Sequence, residues 1–139
     1  MTGDPVTQIR WPERVSVENL AAEIARIGGF GTVTLETFPD YMRDTGVSGV
    51  TLARDGNAEV FVNPGLTDLN RKLTILHEYA HILHGDLASD DEYAIMHRSV
   101  FDDPREKRAE ETGMRLLFEI QQREHDTDVL RFIGGGPGE

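Results

Sequence analysis

Cysteine is missing from this chain altogether, which excludes disulfides and thiolate metal sites and leaves the redox compartment open. Aromatic residues are scarce at 7%, with a single Trp, so a core must be built mainly from aliphatic side chains. No apolar run approaches the roughly 20 residues that a membrane-spanning helix needs. The polar start, Met1 to Trp11 with Asp4 and Pro5, lacks the apolar segment of a signal peptide. The expected compartment is therefore the cytoplasm, with no membrane partner. Basic charge is also short: 14 Lys and Arg face 25 Asp and Glu, for a net charge of -11. Such a surface repels phosphate, which argues against direct nucleic-acid binding and favours a basic protein partner.

What is present suits one domain with a single core, since 139 residues leave little room for a second. Residues 1–12 read as a flexible lead-in, with Gly3, Pro5 and Pro12 discouraging regular structure. Ser16 is placed to cap a helix beginning near Val17, with Leu20, Ile24 and Ile27 on one face and Gly28-Gly29 as its stop. Val33 to Phe38 alternates as a strand. Gly49 to Arg54 and Ala58 to Asn63 flank Asp55-Gly56-Asn57, the signal of a hairpin. A helix should start at Thr67 or Asp68 and run to His84, stopped by Gly85. Residues 86–103 are acidic and less regular, with a short helical piece expected over Glu92 to Phe101 and a solvated acidic loop at Asp86, Asp90 and Asp91. Pro104 suits the first turn of a last helix over about 105–124, and residues 126–139 read as a Gly-rich flexible tail. The expectation is an α+β domain over 13–125: a small, mostly antiparallel sheet, an N-terminal helix and two long helices.

The chemistry is concentrated in His77-Glu78-Tyr79-Ala80-His81. Residues four apart on a helix share a face, so both imidazoles can reach one ion, while Glu78 stands beside it and can act as a proton acceptor rather than a ligand. Zinc is the natural occupant, because it accepts neutral imidazole and carboxylate in a roughly four-coordinate site. A third protein ligand is required. Glu106, in the first turn of the last helix, leads Glu110 and Glu111, and Ala109 and Gly113 would let that helix approach closely. His84 shares the face of His77 and is either a group near the cleft or a helix-end histidine. His97 and Tyr93 are either donors to an oxyanion or ordinary packing residues. Glu59 to Asn63 is placed as a strand edging the cleft, able to pair with an extended substrate.

Taken together, Val62-Asn63-Pro64-Gly65-Leu66, Arg71, and Leu73-Thr74-Ile75-Leu76-His77-Glu78-Tyr79-Ala80-His81-Ile82-Leu83-His84-Gly85 strongly resemble the ImmA/IrrE metallopeptidases. The downstream Glu106, Ala109, Leu116 and Leu117 keep the spacing of that family's second motif, so the resemblance, over about residues 45–120, implies Glu106 as the third ligand. Glu110 stands where the family usually has Asn, Thr112 where it often has an aromatic, and Phe118-Glu119 where Met-Pro is frequent. Glu110 is either a partner that accepts a ring N–H from a ligating histidine or an exposed charge.

The resemblance further implies a zinc endopeptidase acting on a regulatory protein, a helix-turn-helix repressor or antitoxin, so as to derepress prophage, mobile-element or stress genes. Zinc would polarise the scissile carbonyl and Glu78 would shuttle the proton. The rival expectation is a zinc-stabilised, catalytically idle module that sequesters such a protein.

Overall fold

The structure, a computed structural model, describes residues 4–87, 94–95 and 104–133. Four strands form one mixed sheet: β1 (Val33–Thr37), β2 (Gly49–Arg54), β3 (Asn57–Val62) and the two-residue β4 (Ala94–Ile95). Their order is β1-β3-β2-β4. β2 pairs antiparallel with both β3 and β4, and β1 pairs parallel with β3, Val33 facing Ala58 and Thr37 facing Val62. The sheet is thus mostly antiparallel, as the sequence suggests, with one parallel pair where β1 enters on the far side of the hairpin. That pair also corrects an expectation. β3 is bonded on both sides, so the segment from Glu59 to Asn63 is not a cleft edge. Ala94–Ile95 are strand, and the rest of Glu92 to Phe101, where a short helical piece is expected, lies outside the described residues.

Local chemistry explains the ends of the elements. Asp55 and Gly56 both have positive φ, 55° and 78°, as a two-residue hairpin turn demands. Beyond β3, the buried Asn63 donates from Nδ2 to the carbonyls of Arg43 and Val47 at 2.9 and 3.0 Å, and its Oδ1 accepts from Gly65 N. One side chain thereby fastens the β1–β2 connection to the end of β3.

Among the described residues three α-helices pack on this sheet or on one another: α1 (Ala21–Gly28), α2 (Asp68–Leu83) and α3 (Pro104–Ile133). Ser16 Oγ accepts from Asn19 N at a 3-10 turn, and α1 follows that turn. α1 packs on β1, α2 lies across β2 and β3, and α3 is stacked against α2. Because α2 is the middle layer, its second half is buried nearly all round, from Ile75 to Leu83 with only His77 partly exposed. Leu20 and Ile24, Val60 and Val62, Ile75, Leu76 and Ile82, and Leu116 and Ile120 form one core.

Two segments depart from the expected boundaries. Residues 4–12 are not a loose lead-in: Asp4 caps a 3-10 turn over Pro5–Gln8, Val6 and Ile9 enter the core, and Arg26 donates to Gln8 O at 2.8 Å. α3 is described as far as Ile133, eight residues into the expected tail. Among the described residues no helix is long and apolar enough to cross a membrane.

Candidate metal centre

α2 carries the centre, and both its ends are built by recognisable caps. Thr67 Oγ1 accepts from Asn70 N at 3.2 Å. At the other end Gly85, at φ 70°, reverses the chain, with Gly85 N bonded to Ile82 O and Asp86 N to His81 O. Between these caps, each face of α2 has its own neighbour. Tyr79 points to the N-terminal segment and donates its hydroxyl to Val17 O at 2.8 Å, and burial pushes that phenol well above the usual range. Thr74 and Glu78 face β2. His77 and His81 face α3.

On the sheet side, Gly49 and Thr51 keep pace with Thr74 and Glu78. Two residues of strand advance about 6.6 Å and four residues of helix about 6 Å, so the pairs stay in step. A Cβ on Gly49 would lie 2.6 Å from Thr74 Cγ2, which explains the glycine. One step on, the buried Thr51 Oγ1 donates to Glu78 Oε1 at 2.6 Å.

On the α3 side, Glu106 bridges the two histidines. His77 Nε2 is 3.0 Å from Glu106 Oε1, and His81 Nε2 is 3.1 Å from Oε2. The two rings stand edge to face at 76°, with centroids 4.9 Å apart. A ligand atom from each of the three residues lies within 4.8 Å of the others. Tetrahedral coordination at about 2.1 Å separates ligand atoms by about 3.4 Å, so the spacing is that of a metal-binding group. His81 supplies a further test of fit. Its Nδ1 is 2.9 Å from Asp86 Oδ2, and since a carboxylate only accepts, Nδ1 carries the proton. Nε2 is buried too, 3.1 Å from Glu106 Oε2 and without a hydrogen bond; in the neutral Nδ1–H form its lone pair would be turned toward that carboxylate. In that form a cation between Nε2 and Glu106 would satisfy both electron-pair donors.

No family model, curated protein or solved structure matches the chain. What the site can do therefore rests on its own residues.

The expected residues divide clearly. His77, His81 and Glu106 come together, and Glu78 is fully buried between them and β2. Glu110 does not join them. The inward row of α3 runs through Glu106, Ala109, Gly113 and Leu116, which turns Glu110 and Glu111 out to solvent. The role of accepting a ring N–H, one alternative for Glu110, falls to Asp86. Asp86 is not in a solvated loop either: its side chain is 4% exposed, and its second oxygen accepts from Arg108. His84 lies outside the cluster, capping α2 with Nε2 2.8 Å from Thr112 Oγ1. Burial, with Arg108 nearby, holds its imidazole below the usual range. His97, Tyr93, Asp90 and Asp91 lie outside the described residues. Thr51, Asp86 and Arg108 are the site residues that the sequence reading missed. A cavity of about 350 Å³ between the hairpin turn and the ends of α1 and α2 includes no residue of the cluster.

Proposed function

We propose that the protein is a zinc-dependent endopeptidase, with His77, His81 and Glu106 as ligands and Glu78 as general base. One observation carries this: two imidazole nitrogens and a carboxylate converge on one point, and the residue beside the first histidine is a buried glutamate held by a hydroxyl. Once bound, zinc supplies a Lewis acid that polarises a carbonyl and lowers the pKa of a water molecule to roughly 7. The chain's own residues do the rest. Thr51 holds the Glu78 carboxylate in place, and that carboxylate would take the proton of the attacking water and deliver it to the departing amine. Glu106 starts α3, where the positive end of the helix dipole suits a carboxylate.

The substrate class follows from charge together with the ImmA/IrrE resemblance. A chain at -11 attracts basic proteins, and helix-turn-helix repressors are often basic. Cleavage of such a repressor or an antitoxin, in the cytoplasm and without direct contact to nucleic acid, would release prophage, mobile-element or stress genes.

Glu78→Gln tests this. The variant keeps size and hydrogen-bonding capacity but cannot take a proton from water near neutral pH. It should fold, retain zinc and still bind the repressor, while cleavage and derepression fall by at least the ~10²–10⁴-fold attributed to general acid–base groups. Derepression at the wild-type level by Glu78→Gln would mean that the domain works by sequestration, as a zinc-stabilised, catalytically idle module.

A further inference from the structure

The turn after α2 does more than end a helix. Its two backbone bonds, Gly85 N to Ile82 O and Asp86 N to His81 O, fold the chain back by one turn. The same residue that returns its N–H to the His81 carbonyl therefore also sets its carboxylate against the His81 ring, 2.9 Å from Nδ1. A left-handed residue is needed for the reversal, and Gly85 supplies it at φ 70°. Asp86 is fastened from its far side as well, since its Oδ1 accepts from Arg108, two residues beyond Glu106 on α3. Its side chain is 4% exposed and that of His81 is fully buried, so water does not compete for the contact.

We infer that Asp86, braced by Arg108, is the positioning residue that fixes the tautomer and aim of His81. This rests on the metal centre proposed above. A neutral imidazole carries one proton, and only the Nδ1–H form leaves Nε2 bare to bind an ion. A carboxylate at Nδ1 selects that form because it can accept but not donate. It also stops ring rotation, which in a buried site would carry Nε2 off the point shared with His77 and Glu106. The first two turns of α3 thus act on the centre twice, through Glu106 at the point of binding and through Arg108 from behind Asp86.

Asp86→Asn discriminates. An amide has the same shape but can turn its NH2 toward Nδ1, stabilising the tautomer with the proton on Nε2. In the full-length protein, zinc affinity measured by competition with a chromophoric chelator should fall roughly 10–100-fold, as for other partners of metal-binding histidines. Nitrogen-15 spectra of the metal-free protein, recorded at a pH at which the imidazole is neutral, should show His81 as the single Nδ1–H tautomer in wild type and lose that purity in Asp86→Asn. Arg108→Gln, at a side chain that is 45% exposed, should shift both readouts in the same direction by less. It keeps the test open should Asp86→Asn fold poorly. Zinc affinity within about twofold of wild type in both variants, with an unaltered His81 spectrum, would overturn the assignment. Failure of the wild type to bind zinc would instead sink the metal centre, and the metal-free spectra would still decide whether Asp86 governs His81.

Discussion

Three glutamates stand within the first two turns of α3, and burial alone separates them. Glu106 is 13% exposed and touches both histidines, whereas Glu110 and Glu111 face solvent. Glu106→Gln removes the one anionic ligand and should reduce zinc retention on dialysis to the level of a His77→Ala control. Glu110→Gln and Glu111→Gln should keep about one zinc per chain, the content expected of a single three-residue site. Loss of zinc in Glu110→Gln comparable to that in Glu106→Gln would show that α3 presents a different row to α2. Thr51 belongs at this scale too. Its hydroxyl holds the Glu78 carboxylate at 2.6 Å, and hydrogen bonds to charged groups contribute about 1.5–3 kcal/mol.

Between the elements, the decisive contact is α2 against α3, and Gly113 sets its closeness. A Cβ there would lie 3.4 Å from the Cα and N of His77, an ordinary contact with no room for further atoms along that line. Gly113 is seven residues after Glu106 and so on the same face, which ties helix separation to the reach of the ligand. Gly113→Ala should therefore be neutral or stabilising by up to about 1 kcal/mol, from helix propensity. Gly113→Val should cost about 1–3 kcal/mol through overpacking and also weaken zinc binding, since α3 must move off His77. Urea unfolding and chelator competition on the pair measure both. Equal zinc affinity and stability in the two variants would mean that α3 has slack at the centre. The same contact shows what the sequence could and could not tell. The ends of α2 were legible from Thr67 and Gly85, and the hairpin from Asp55-Gly56, because caps and tight turns are local. The internal place of β3 was not, because it depends on β1, whose residues pair with partners 25 positions further along the chain. Nor was the burial of Val6 and Ile9, two isolated apolar residues in a segment that has no local pattern of its own. Asp86 did carry a signal: it follows the Gly85 stop, where a reversal brings the chain back over His81, but acidic neighbours disguised it as a solvated loop.

At the scale of the whole molecule, α3 is held from several sides by parts distant in sequence. The N-terminal segment straps it through an Asp4–Arg115 ion pair and through Arg123, which stacks 4.0 Å over the Trp11 ring. α2 supports its other side, and the His77–His81–Glu106 cluster joins the two helices at the start of α3. An ion held by that cluster would add a link between layers that the sheet does not share. Any ligand that binds only the folded state stabilises it by RT ln(1 + [L]/Kd), about 2.7 kcal/mol at a hundredfold excess over Kd. Chelation should therefore lower the melting temperature and make it depend on added zinc. The loss should also be uneven. Amide exchange in the first turns of α3 should quicken on metal removal well before exchange in β2 and β3, whose bonds are made to one another. His77→Ala should melt at the temperature of the chelated wild type and respond no further to zinc. A His77→Ala protein that still gains stability from zinc would place the ion elsewhere on this acidic chain, and uniform acceleration of exchange across sheet and helices would show that the metal stabilises the fold as one unit rather than clamping α3 to α2.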